Sequence, residues 1–184
     1  MGTSRLLRAQ VFAAGLLLGA CTEGPPGMVV DPELAAMEAD YFIFGLTNYL
    51  TRQGIREAVV EADSAFVYRD STVVLLRGNV RLTAYNKKLG TEKALVTSDR
   101  GRLNTSTNEL HAEGNAVLLI RADGRRIESY ELYYIPDEDR IRSDSATVMY
   151  DGDTIVEGTS FTSDLNFERV VILNGRTRGG AVRF

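Results

Sequence analysis

Few residues in this 184-residue chain could do chemistry: it has one cysteine, Cys21, and one histidine, His111. A lone cysteine forms no intrachain disulfide, and a lone histidine without a Cys-X-X-Cys pair removes most metal sites and the usual nucleophilic triads. His111 sits in an alternating segment opposite Leu110 and Ala112, the place of a solvated strand histidine. The acidic groups Asp137-Glu138-Asp139 and Asp151-Gly152-Asp153 have the residue types of glycosidase carboxylates or a calcium loop. Both fall at expected hairpin turns, where Asp and Gly are favoured for conformational reasons, and neither is followed by full calcium-loop spacing. Arg125-Arg126 precedes a strand and reads as surface charge more readily than as a phosphate site. No metal, cofactor or catalytic residue is expected.

Cys21 is the exception. Arg5 and Arg8 precede an apolar run from Val11 to Ala20, which is half the length a bilayer-spanning helix needs but suits the apolar core of an export signal. The run ends Leu18-Gly19-Ala20-Cys21, a branched apolar residue and two small ones before the thiol, the form of a lipobox. Cleavage before Cys21 would leave a lipidated N-terminus, and several acyl chains anchor stably where one does not. The expected organisation is a lipoprotein signal peptide over 1–20, a lipidated Cys21 and flexible tether over 21–38, a β domain over 39–178 and a short tail over 179–184. Gly24, Pro25, Pro26 and Gly27 give the tether its composition.

The chain carries 21 basic and 25 acidic residues, a net charge of −4, with no Lys/Arg block, so nucleic acid is not an expected partner. It has eight tyrosines, seven phenylalanines and no tryptophan, which argues against a sugar-stacking lectin.

The elements that must position these residues are short and alternating. Phe42, Phe44, Leu46 and Leu50 recur at period two, and after the Gln53-Gly54 turn so do Ala58, Val60, Ala62, Phe66 and Tyr68, with Glu57, Glu61 and Asp63 opposite. Further alternating runs follow turns at Leu89-Gly90, Asn104–Asn108, Asp123-Gly124, Pro136–Asp139 and Asp151-Gly152, and a last strand is expected from Arg169 to Thr177. Apart from a weak period near Pro32–Glu38, no helix is expected.

Leu76-Arg77-Gly78-Asn79-Val80-Arg81-Leu82 matches Ala112-Glu113-Gly114-Asn115-Ala116-Val117-Leu118 in register. Ile141 to Val148 reads as a third copy without the glycine, and Ile172 to Thr177 as a fourth. A two-strand unit repeated every thirty-odd residues implies a stacked β architecture, and glycine inside a strand pattern implies a bulge or corner. The predicted fold is all-β: a twisted, open antiparallel β-jellyroll built from repeated two-strand units. Its large aliphatic face suits acyl chains and equally suits a closed core with no ligand; composition does not separate the two.

The order of these features resembles the LptC family of periplasmic lipopolysaccharide-export proteins. The resemblance spans roughly Asp40 to Gly175 and is most specific from Ile127 to Leu165, through Arg126-Ile127-Glu128-Ser129, Leu132-Tyr133-Tyr134, Ile141-Arg142-Ser143-Asp144 and Glu157 to Leu165. It implies an OstA-like jellyroll that receives lipopolysaccharide from an inner-membrane ABC transporter and passes it to an LptA-like jellyroll by edge-strand pairing. It also implies that acyl chains lie on the inward face, which period-two parity assigns to Val60, Phe66, Val74, Leu76, Val80, Leu82, Val96, Leu110, Leu118, Ile127, Leu132, Ile141, Val148 and Phe161. The protein is expected at the periplasmic face of the inner membrane, held by its lipid, with the outer membrane as the other location. Family members typically keep an uncleaved transmembrane helix, so a cut at Cys21 sets this chain apart. The rival readings are an LptA-like bridge, a ligand-free structural repeat lipoprotein, and a carboxylate hydrolase, which would need an inward acid pair that the parity pattern does not supply.

Overall fold

The computed structural model describes residues 39–178; the expected lipobox and tether lie outside that range. Twelve strands form one antiparallel sheet: β1 (Tyr41–Arg52), β2 (Ile55–Val67), β3 (Val73–Tyr85), β4 (Glu92–Asn104), β5 (Glu109–Ile120), β6 (Arg126–Ile135), β7 (Arg140–Ser143), β8 (Thr147–Asp151), β9 (Thr154–Gly158), β10 (Ser160–Asp164), β11 (Val170–Leu173) and β12 (Arg176–Arg178). A single 3₁₀ turn, Pro136–Glu138, joins β6 to β7. Among the described residues no helix is long and apolar enough to cross a membrane.

The sheet is folded over on itself. Beyond β6 the strand order divides: one path continues β6-β7-β10-β11, the other β6-β8-β9-β12. β2 to β6 run through both halves, and each pairing from β2–β3 to β5–β6 slips at one level, between Glu61/Ser64, Arg77/Val80, Thr97/Arg100 and Glu113/Ala116. The later strands break outright at the same level, β7 from β8 at Asp144–Ala146 and β11 from β12 at Asn174-Gly175. The bulges therefore form a crease, with a first layer on one side and a second on the other. The expected single strand from Arg169 to Thr177 is two strands, because its corner sits at Asn174, whose φ is +53°.

The two Gly-Asn repeats build the crease. Gly78 and Asn79 have φ of +73° and +45°, and Gly114 and Asn115 have +78° and +48°. A left-handed pair of this kind is open to glycine and tolerated by asparagine. In each unit an aspartate 16 residues upstream completes the corner: Asn79 Nδ2 donates to Asp63 Oδ2 at 2.8 Å, and Asn115 Nδ2 donates to Asp99 Oδ2 at 2.7 Å. A Cβ on Gly78 would lie 2.5 Å from Asp63 Oδ2, and one on Gly114 2.9 Å from Asp99 Oδ2, so the aspartate occupies the space that the missing side chain leaves. The third corner has no glycine and is closed by hydroxyls. Ser129 and Ser143 share a 2.8 Å hydrogen bond, and Ser129 Oγ donates to the Ala146 carbonyl at 3.0 Å.

Candidate functional site

Residues directly opposite in a ladder share a face, so the register assigns every side chain to the interior or the outside. In the first layer the inward rows include Ala65, Leu76, Gly101, Ala112 and Leu132, and beside them Val74, Leu103, Leu110, Tyr134 and Ile141. In the second layer one inward row crosses Val60, Leu82, Val96, Leu118, Ile127, Met149 and Val156. These rows meet in one contiguous core. It is aliphatic, and most of its members are no more than 3% exposed.

Twelve of the fourteen expected inward residues line this interior: Val60, Val74, Leu76, Val80, Leu82, Val96, Leu110, Leu118, Ile127, Leu132, Ile141 and Phe161. Two do not. Phe66 pairs with Leu75, one residue away from the inward Ala65–Leu76 pair, so it lies on the opposite face of the sheet, where it is fully buried and packs its ring edge-on to Phe42 at 4.4 Å. Val148 pairs with Glu128 while its neighbour Met149 pairs with the inward Ile127. In β2 the inward set passes from Val60 and Ala62 to Ala65 across the crease, so one extra residue there reverses the parity beyond it. From β7 to β8 the inward Ile141, Ser143, Thr147 and Met149 keep one parity, and Val148 falls between two of them. The interior also takes side chains outside those fourteen, among them Leu103, Met149, Leu165, Phe167 and Ile172. Leu165 and Phe167 come from a loop, which no strand periodicity could reveal.

Opposite the crease the outer rims of the two layers approach each other. Arg52, at the β1–β2 turn of the second layer, pairs with Asp137 in the β6–β7 turn of the first. Arg125, in the β5–β6 turn, donates through Nη2 to the Phe167 carbonyl at 3.0 Å, while its Nε holds Asp123 at 2.7 Å. Between these ties lies a mouth of about 550 Å³ bordered by Glu57, Tyr85, Lys87, Lys93, Tyr134 and Leu165 among others. Glu57, expected to point into solvent, is buried there and clamped by Lys87 Nζ at 2.6 Å and Arg52 Nε at 3.4 Å. Burial, reinforced by the nearby Glu57 charge, pushes the Tyr134 hydroxyl well above its ordinary range. Burial likewise lowers Lys93 below the usual lysine value.

His111 lies outside, in the row of Tyr133 and Arg142. It stacks on Tyr133 at 4.2 Å, and its Nε2 lies 3.0 Å from Glu131 Oε2, which also accepts from the Tyr133 hydroxyl at 2.9 Å. Ser145 Oγ donates to the other carboxylate oxygen at 3.0 Å. Burial alone would raise Glu131, but the hydrogen bonds from Tyr133, His111 and Ser145 together hold it below the usual carboxylate range. The acidic turn is arginine-paired: Asp137 with Arg52 and Glu138 Oε2 with Arg140 Nη1 at 3.0 Å. Among the described residues no cluster of His, Cys, Asp or Glu has the makings of a metal site. The arrangement can enclose apolar matter between two layers.

Among solved structures, the fold is similar to that of LptH from Pseudomonas aeruginosa, described as the LptA-homologous periplasmic component of the conserved lipopolysaccharide transport device. The TM-score is 0.55 at 15% identity, over 67% of this chain and 95% of that one. No curated protein matches the sequence. The family described as "LptC: Lipopolysaccharide-assembly, LptC-related" matches residues 12–179, nearly the whole length, and this chain belongs to that family.

Proposed function

We propose that this protein is a lipid-anchored periplasmic component of lipopolysaccharide export, which takes the acyl chains of its cargo between its two layers and passes them to an LptA-like jellyroll. One observation carries the reading: the largely aliphatic interior is contiguous from β2 across both layers to β10, with small hydroxyl side chains, Ser98, Ser143, Thr147 and Ser163, in its rows. Burial in such a space stabilises an acyl chain by roughly 25 cal/mol per Å², without direction, so a chain can slide along it. The sugars would remain in water. Among the described residues both ends of the sheet have edges without a further strand, β1 at one and β11 with β12 at the other, and such edges suit strand addition by a neighbouring jellyroll. The ABC transporter supplies the energy in this scheme. Lipidation at Cys21 holds the domain at the inner membrane on a tether reaching to residue 38.

A photocrosslinker at Leu76 or Leu118 in cells should capture lipopolysaccharide, and one at Arg77 or Glu113 should not; the reverse pattern overturns the assignment of faces. Depletion should strand lipopolysaccharide at the inner membrane. Cys21→Ser should leave the protein soluble or uncleaved, and a processed, membrane-bound Cys21→Ser product contradicts lipidation. A ligand-free scaffold is the second reading, favoured by the near-zero exposure of Leu76, Leu118 and Ile127, whose space is filled by their own neighbours. Absence of lipopolysaccharide adducts at every inward position would establish it.

A further inference from the structure

The interior is filled and closed, so cargo can reach it only if the two layers part, and the molecule is tied unequally along its two long sides. Along the crease, the corners are covalently continuous through β2 to β6 and locked by the Asp63–Asn79 and Asp99–Asn115 hydrogen bonds. Along the rim, the layers meet through side chains and one loop. That loop, residues 165–169 between β10 and β11, is organised by Asp164, whose Oδ1 accepts from the Glu168 amide at 2.9 Å and whose carbonyl accepts from the Phe167 amide at 3.1 Å. It drives Leu165 and Phe167 into the core. Phe167 does so with φ of +61°, a left-handed conformation that a bulky residue rarely adopts and that persists only where its surroundings enforce it. The enforcing contact from the other layer is the Arg125 guanidinium on the Phe167 carbonyl.

We propose that the 165–169 loop is a strap closing the interior, with Arg125 as its latch and the crease as its hinge, and that its release admits an acyl chain at the rim. This rests on the reading of the interior as an acyl-chain site. The location follows from the asymmetry just described. Opening at the crease would break five continuous strands, whereas opening at the rim releases the Arg125 bond, the Arg52–Asp137 pair and two apolar side chains. The Phe167 backbone relaxes as it leaves. The mouth bordered by Tyr134 and Leu165 is where the seam is already parted.

The test uses the full chain carrying Cys21→Ser, spin-labelled at Ala122 and Asn166, which are exposed on the two sides of the mouth. A second labelled pair at Arg81 and Asp144 reports on the crease side. Arg125→Ala should raise the population of long Ala122–Asn166 distances about tenfold, the factor carried by one lost charge-assisted hydrogen bond, and leave the crease pair unchanged. Arg125→Gln, which keeps polarity but shortens the reach, serves if the alanine variant does not fold. Because apparent affinity scales with the competent fraction, a fluorescent twelve-carbon fatty acid should bind Arg125→Ala tighter by the same factor. Unchanged distances in both variants overturn the strap, even if the fatty acid binds the wild type. Distances that respond while neither protein binds the fatty acid keep the latch and overturn the acyl-chain reading.

Discussion

Gly78→Ala tests the crease quantitatively. Alanine at φ +73° costs about 1–2 kcal/mol from its Cβ and the adjoining carbonyl alone. The new methyl would also stand 2.5 Å from Asp63 Oδ2 and 3.1 Å from Asp63 Cβ. Asp63 is exposed and can swing away, but only by giving up its 2.8 Å bond from Asn79, worth about 1 kcal/mol at an exposed site. The expected total is about 2–3 kcal/mol, a large share of the 5–15 kcal/mol available to a domain. Gly54→Ala is the control, at φ +78° with nothing within 4 Å of the added atom, and it should cost the conformational part only. In an Asp63→Ala background, Gly78→Ala should fall toward the Gly54→Ala value, keeping only the 3.1 Å approach to the Cβ of residue 63. Urea unfolding followed by circular dichroism reads these differences as midpoint shifts, provided the slope is unchanged. Equal costs for Gly78→Ala and Gly54→Ala in the wild-type background, or no coupling between Gly78 and Asp63 in the cycle, would refute the account of the corner.

Other expectations follow from the same geometry. Leu118→Ala, at 0% exposure in the middle of the core, should destabilise by about 3–4 kcal/mol in the same unfolding assay, whereas Val148→Ala on the outer face should cost about 1 kcal/mol or less. Glu131 has a folded-state pKa below its unfolded value, so its contribution is present at neutral pH and is lost as pH falls below about 4.5; Glu131→Gln should flatten the acid limb of a stability–pH profile. Lys93 is half-buried without a salt bridge among the described residues, and burial disfavours its charge. Lys93→Met should therefore raise the urea midpoint, by the equivalent of about 0.5–1 kcal/mol.

Much of this molecule was legible because hydrophobic alternation is a local property. Strands need inward side chains at every second position, and the Gln53-Gly54 and Asp151-Gly152 turns supply left-handed glycines between them. The two Gly-Asn repeats marked the corners, and family resemblance pointed to the fold. Asp63 and Asp99 carried a signal that went unread: each precedes its Gly-Asn partner by the same interval, as a corner lock must.

Strand content, the repeat, the corners and most of the inward set follow from local patterning, because φ preferences and period-two alternation act over a few residues. Tertiary structure decided the rest. It put Phe66 and Val148 on the face away from this interior, Phe66 because an unpaired residue at the β2 bulge reverses the side chains beyond it, and bulge position is fixed by pairing with a distant strand. It turned Glu57 from a solvated carboxylate into a buried one, because Lys87 comes to it from another turn. It brought Phe167 and Arg125 together across 42 residues, an encounter that exists only once the sheet has folded along its crease.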